Sequence, residues 1–120
     1  YDKINMFDVS LGGGETYRES ESVEPGSQAV MVSGPLSAKI GLTICYDLRF
    51  PALFSSYAKA GVEIVAVPSA FTVPTGQAHW EVLLRARAIE MGAFVVAPAQ
   101  GGRHVDGRAT WGRSTIVDRW

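Results

Sequence analysis

One thiol dominates the chemistry this chain can offer. Cys45 is the only cysteine, and it ends a run of apolar and β-branched residues, 38–45 (AKIGLTIC), that reads as a buried strand. Arg49-Phe50-Pro51 follows at once and reads as a helix start, with proline at the first helical position. A side chain at such a strand-to-helix junction is presented at the rim of a sheet, where reactive groups of open α/β sheets gather. The next backbone N–H, that of Tyr46, points to whatever binds there. A thiolate near a helix N-terminus or a cation attacks carbonyl-type carbons. A lone cysteine is also a common buried packing residue. The flank Tyr46-Asp47-Leu48-Arg49 argues against that, because a merely packed site needs no charges two and four residues on.

Activation of Cys45 needs a partner. His79 and His104 are the only histidines, in or beside loops, and nothing in their spacing demands that either approach. An ammonium is the other option, since it stabilises both a thiolate and an oxyanion. Lys39 precedes the Cys45 strand, Lys59 lies late on the polar side of the following helix, and Lys3 sits in a first segment whose place in the fold is open. Gly12-Gly13-Gly14 lacks the lysine and hydroxyl residue of a phosphate-binding loop. No Cys/His spacing suggests a zinc site. No cofactor is expected.

These groups need a frame. Residues 1–7 read as a strand end. Residues 8–27, rich in Gly and Glu, read as one long loop whose acids (Glu15, Glu19, Glu21, Glu24) form a solvated face. Residues 28–33 read as a strand, Gly34-Pro35 as a turn, and 51–60 as a helix with Leu53, Phe54, Tyr57 and Ala58 on one face and Gly61 as its stop. Residues 63–67 read as a strand and 68–76 as a loop. Residues 78–91 read as a helix with the stripe Trp80, Leu83, Leu84, Ala88 and Met91 and a surface pair Glu81–Arg85, closed by Gly92. Arg87 and Glu90 read as a structural ion pair. Residues 94–99 read as a strand, 100–107 as a polar loop, and 109–117 as a last strand or hairpin arm. Strand, helix, strand, helix, strand from residue 38 predicts an α/β sheet with helices packed on it.

Composition excludes several classes. The 120 residues carry a net charge of −1, with basic residues scattered, so neither nucleic acid nor an anionic membrane is a predicted partner. No apolar run approaches the ~20 residues that span a bilayer. One cysteine permits no internal disulfide, and a cytoplasmic address is the expectation. The chain opens on Tyr1 and closes on Trp120 straight after the apolar run 114–117, so it reads as a piece of a longer chain.

Three ordered blocks then carry a resemblance. Residues 41–51, GLTICYDLRFP, resemble the nucleophile motif of the nitrilase superfamily of carbon–nitrogen hydrolases. Residues 1–8, YDKINMFD, are similar to its lysine motif. Residues 71–90, from Phe71-Thr72-Val73-Pro74 to Arg87-Ala88-Ile89-Glu90, resemble its Nit1-like branch. Departures are Asn5 and Met6, where His and Leu are usual, and Gly112-Arg113-Ser114, where Gly-His-Ser is usual.

The resemblance implies the C-terminal part of an α-β-β-α sandwich, a mixed sheet with helices on one face, over a single partial domain, 1–120. It implies Cys45 as nucleophile, Lys3 with the Tyr46 N–H as oxyanion stabiliser, and Glu19 as a supporting glutamate. It further implies amidase activity on a small carboxylate-bearing amide of the deaminated glutathione type, with water as co-substrate and a homodimer or larger assembly. Omega-amidase, carbamoyl-amide hydrolase, nitrilase, or a non-catalytic scaffold are the alternatives. The family's general base, a glutamate before the lysine motif, would lie outside these residues, so 1–120 alone is expected to be inactive. Phe71, Thr72 and Thr75, in a loop after a strand, are candidate substrate contacts. Arg103 is a candidate for a substrate carboxylate.

Overall fold

A computed structural model describes residues 1–12 and 14–120. Gly13, in the glycine run dismissed above, lies outside the described residues. Residues 1–7 form no strand, contrary to expectation. The expected long loop instead contains a small antiparallel hairpin, β1 (Asp8–Ser10) with β2 (Thr16–Arg18), followed by a 3-10 turn at Glu19–Glu21. Three-residue strands are too short to show a period, so the glycines between them masked the hairpin.

β3 (Val30–Ser33) turns through Gly34 into β4 (Lys39–Leu42). A 3-10 turn, Cys45–Arg49, leads to α1 (Pro51–Lys59), with Pro51 at its start as expected. β5 (Ile64–Ala66), α2 (Val73–Met91) and β6 (Phe94–Ala97) follow. The Thr72 hydroxyl caps α2 by accepting from the Thr75 N–H at 3.4 Å, so the helix begins five residues before the expected 78. Gly92, at φ 62°, ends it in the left-handed conformation that glycine takes without strain. The expected polar loop after β6 is half hairpin, β7 (Gly101–Arg103) with β8 (Ala109–Trp111), and the expected last strand is split by Gly112 into β8 and β9 (Thr115–Val117).

The main sheet runs β3-β4-β5-β6-β9. Its three central strands are parallel and joined by the two helices, and its edge strands are antiparallel. It is the expected mixed α/β sheet. One face holds Gly41, Val65, Val95 and Val117 in register, buried beneath Phe54 and Tyr57 of α1 and Trp80, Leu84 and Ala88 of α2. A methyl group on Gly41 would lie 3.1 Å from the Tyr57 ring, so glycine there lets α1 approach. Leu83 and Met91 sit at the margin of this core. The other face is apolar yet open: Val32, Phe94, Val96 and Ile116 are 43%, 42%, 36% and 71% exposed.

The expected Glu81–Arg85 pair is not formed. Glu81 meets Arg113 at 3.3 Å and Arg85 donates to the Trp120 carbonyl, because the chain before and after β9 passes closer than the next helical turn. The Arg87–Glu90 pair is present at 2.9 Å. Buried Arg87 also donates to the Leu48 carbonyl at 3.1 Å, tying α2 to the turn after Cys45.

Candidate active site

Cys45 lies three residues beyond the end of β4, and the chain keeps its register to reach it. The Thr43 N–H and hydroxyl both donate to the Ala66 carbonyl, at 3.1 and 2.8 Å, and the Cys45 N–H donates to Pro68 O at 2.9 Å. Cys45 itself has φ 49°, a left-handed conformation for a residue with a side chain. That costs about 1–3 kcal/mol and persists only where the flanks dictate it. The result is a sharp elbow that lifts the thiol into an open cavity of about 1160 Å³. Burial pushes the Cys45 pKa up. The Ala70 backbone, the Lys3 charge and the Ser69 hydroxyl pull it down, and the Glu19 charge pushes it up; the net is a thiol above its ordinary value.

Lys3 is only 8% exposed. Its ammonium forms an ion pair with the Glu19 carboxylate and lines the same cavity as Cys45. Glu19 also accepts the Phe7 N–H at 2.7 Å, so one carboxylate holds both the ammonium and the end of its segment. The Lys3 carbonyl accepts the Gly26 N–H at 2.7 Å. Of the acid run read as a solvated face, Glu19 alone turns inward, and it is the only carboxylate among the described residues lining the cavity.

Tyr46 is the second residue of the 3-10 turn that Cys45 opens. Its ring meets Phe7 and Phe50 edge-on, at 5.0 and 5.5 Å. Phe71, Thr72 and Thr75 line the cavity as expected. Phe71 leans on Trp80 at 4.9 Å, which fixes its ring, and Trp80 is fully buried core.

Arg103 is the exception. It is exposed on β7 and does not line the cavity, whereas His104 and Arg108 of the same hairpin do. The pleat explains the swap: His104 shares a face with Thr110, joined at 2.7 Å, and Arg103 is one residue out of phase. Without knowing that 101–111 is a hairpin, sequence reading had no phase to use.

Arg49 was also passed over as a cavity residue. Its guanidinium lies over both Tyr46 and Phe71, at 5.8 and 5.3 Å, and meets His79 Nδ1 at 3.3 Å. With Arg18 and Arg108, the latter paired with Asp106 at 2.6 Å, it gives the cavity three arginines beside the Lys3–Glu19 pair, a field that favours an anionic ligand chiefly through Arg18 and Arg49. Among the described residues no group of three or more His, Cys, Asp or Glu is placed to hold a metal ion, and no helix is long and apolar enough to cross a membrane.

Comparison with known proteins places these features in context. A family model described as carbon–nitrogen hydrolase matches residues 1–120. The deaminated glutathione amidase of Yersinia enterocolitica is 50% identical over all of this chain, which covers 42% of that protein. The bovine deaminated glutathione amidase is 51% identical, with 37% of it covered. The chain therefore spans about two fifths of the length of the curated relatives it matches. Among solved structures, the C. elegans NitFhit protein superposes with a TM-score of 0.90 at 45% identity, over 100% of this chain and 29% of that one. An amidase variant from Nesterenkonia sp. AN1, with acrylamide added at its active-site cysteine, gives 0.81 at 26% identity, over 99% and 43%.

Proposed function

The chain belongs to the carbon–nitrogen hydrolase family, and on that premise we propose that it carries the nucleophile side of an amidase site acting on a small carboxylate-bearing amide of the deaminated glutathione type. The observation that carries this reading is the ion pair of buried Lys3 with half-buried Glu19, lining one cavity with the Cys45 thiol.

The steps follow from ordinary thiol chemistry. The Cys45 sulfur bonds to the amide carbon, and its proton passes through a base to the leaving nitrogen. The C–N bond breaks and ammonia departs, leaving a thioester. Water, deprotonated by the same base, attacks the thioester, giving a carboxylic acid and the free thiol. Lys3 and the Tyr46 N–H stabilise the oxyanion in both halves. Because burial raises the thiol pKa, a base is needed to form the attacking thiolate. Glu19 is engaged by the Lys3 ammonium and the Phe7 N–H and suits an orienting role instead. The base is then a glutamate outside residues 1–120, as the resemblance implies, and residues 1–120 alone are inactive. Arg49, which has no carboxylate partner among the described residues, suits a substrate carboxylate, whereas Arg108 is already paired with Asp106.

Two further parts of the reading concern the whole protein. The open apolar sheet face suits a second sheet, completing the sandwich. Val82 and Ile89, 69% and 56% exposed and seven residues apart on α2, suit a subunit contact in a homodimer or larger assembly.

Ammonia release by the full-length protein, measured on matched amide, carbamoyl and nitrile substrates, tests the proposal. Turnover of the amide bearing a distal carboxylate is expected to exceed the others and to vanish in Cys45→Ala. A preference for the carbamoyl or nitrile compound moves the assignment elsewhere in the family, and no turnover of any leaves a scaffold. Measurable amide hydrolysis by residues 1–120 alone would overturn the placement of the base.

A further inference from the structure

The Asp47 carboxyl group lies in the core, and among the described residues no cationic side chain pairs with it. The residue is fully buried. Its carboxylate accepts four hydrogen bonds, all from uncharged donors. Oδ2 takes the Tyr1 phenol at 2.7 Å and the Ile44 N–H at 2.9 Å. Oδ1 takes the Asn5 N–H at 2.9 Å and the Asn5 side-chain amide at 2.8 Å. A buried carboxylate is tolerated only when its lone pairs are this fully used.

The donors come from two places that matter. Tyr1 and Asn5 each stand two residues from Lys3, one on either side. Ile44 immediately precedes Cys45. Residues 1–7 form no strand, so no ladder of backbone hydrogen bonds fixes them. A single side chain thus joins the segment bearing the ammonium to the elbow bearing the thiol. Burial and the Asp47 charge also raise the Tyr1 pKa, which keeps the phenol a donor.

We propose that Asp47 is a positioning residue, a latch that holds the Lys3 segment against the Cys45 elbow and so sets the ammonium–thiol geometry. This rests on the Cys45–Lys3 chemistry proposed above. Asp47 does not line the cavity; it acts through Lys3.

The test uses the full-length protein carrying Asp47→Asn, which keeps the shape but turns one acceptor into a donor facing donors. Two readouts are taken: kcat and KM for amide hydrolysis, and the pH profile of Cys45 alkylation by iodoacetamide. The expected result is a kcat lower by about 100-fold, the effect of roughly 1 Å of misplacement, with KM changed by less than about threefold. The alkylation profile shifts to higher pH as the ammonium loses its hold on the thiol. In a Lys3→Ala background the same substitution leaves the alkylation profile where Lys3→Ala put it.

A shift that adds in full on top of Lys3→Ala would mean that Asp47 acts on the elbow or the fold directly, and overturns the proposal. If Lys3→Ala itself leaves both readouts unchanged, the underlying Cys–Lys reading fails, and that result is visible separately. Should Asp47→Asn not fold, Tyr1→Phe and Asn5→Ala each remove donors from the segment alone. Each is expected to lower kcat about fivefold to tenfold with the same dependence on Lys3. Unchanged kcat in both sinks the idea.

Discussion

The two halves of the site are held in place by different physics. The Cys45 elbow continues the sheet: Thr43 and Cys45 donate backbone N–H groups to Ala66 and Pro68, as the next strand residues would. Arg87 supports the following turn from behind through the Leu48 carbonyl. The Lys3 segment has little such scaffolding. Asp47 holds Tyr1 and Asn5, the Glu19 carboxylate holds Phe7 and the ammonium, and scattered backbone bonds add to these: Gly26 N–H to the Lys3 carbonyl, Glu19 N–H to the Phe7 carbonyl and Asp8 N–H to the Met6 carbonyl. Main-chain ladders are insensitive to side-chain identity, whereas a clamp made of carboxylates depends on a few atoms each. The thiol side should therefore tolerate substitution around it, and the lysine side should not.

The widest gap is expected between Lys3→Met and Thr43→Val. Removing the ammonium takes away oxyanion stabilisation and should lower kcat/KM by about 10²- to 10³-fold. Thr43 is equally buried and also hydrogen-bonded, yet the valine variant keeps its N–H bond to Ala66. It should cost about 1 kcal/mol in chemical denaturation and leave kcat/KM within roughly threefold. A kinetic loss in Thr43→Val approaching that of Lys3→Met would break the comparison.

Two glycines sharpen it further. A methyl group on Gly26 would lie 2.3 Å from the Asp2 carbonyl, a backbone atom that can only move by displacing the Lys3 segment. One on Gly41, beneath the sheet, meets the Tyr57 ring at 3.1 Å and asks it to give by a few tenths of an ångström. Both alanine variants should lose about 1–3 kcal/mol of stability. Only Gly26→Ala should also lose activity, by about tenfold or more. Equal kinetic losses would show that the segment is no more fragile than the sheet.

What was legible in the sequence divides along the same line. The βαβ order, the start of α1 at Pro51 and the core stripe Trp80–Leu84–Ala88 were readable, because they rest on local periodicity and helix signals that tertiary contacts reinforce. So was Cys45 as a rim residue. Its elbow was not, because nothing in GLTIC announces a positive φ. The positions of Lys3 and Glu19 came from resemblance alone, since an irregular segment held by carboxylates leaves no periodic trace. Arg103 was named and Arg108 missed for want of a pleat phase, and Glu81–Arg85 lost to Arg113 because helix spacing says nothing of what packs across it.

Strain at the elbow offers a smaller test on the thiol side. Cys45→Ala keeps the left-handed backbone and its cost, and Cys45→Gly relieves it. Both should be inactive, but the glycine variant should be the more stable by about 1 kcal/mol, once its extra chain entropy is set against the relief. Equal melting temperatures would mean that φ 49° is no strain in this setting.

The finest test concerns the thiol pKa. Burial holds it above the ordinary value, so the rate of iodoacetamide alkylation should rise with pH and reach its midpoint above that of a free cysteine, about 8.5. Groups that favour the thiolate pull the midpoint down, so removing any of them must move it up. The Lys3 charge pulls harder than the Ser69 hydroxyl, so Lys3→Ala should shift the midpoint up further than Ser69→Ala. Ser69 also donates to the Val67 carbonyl at 3.1 Å, which places it on the strand-end side of the cavity. A larger shift from Ser69→Ala than from Lys3→Ala would mean that the sheet side, and not the clamped lysine, controls the nucleophile.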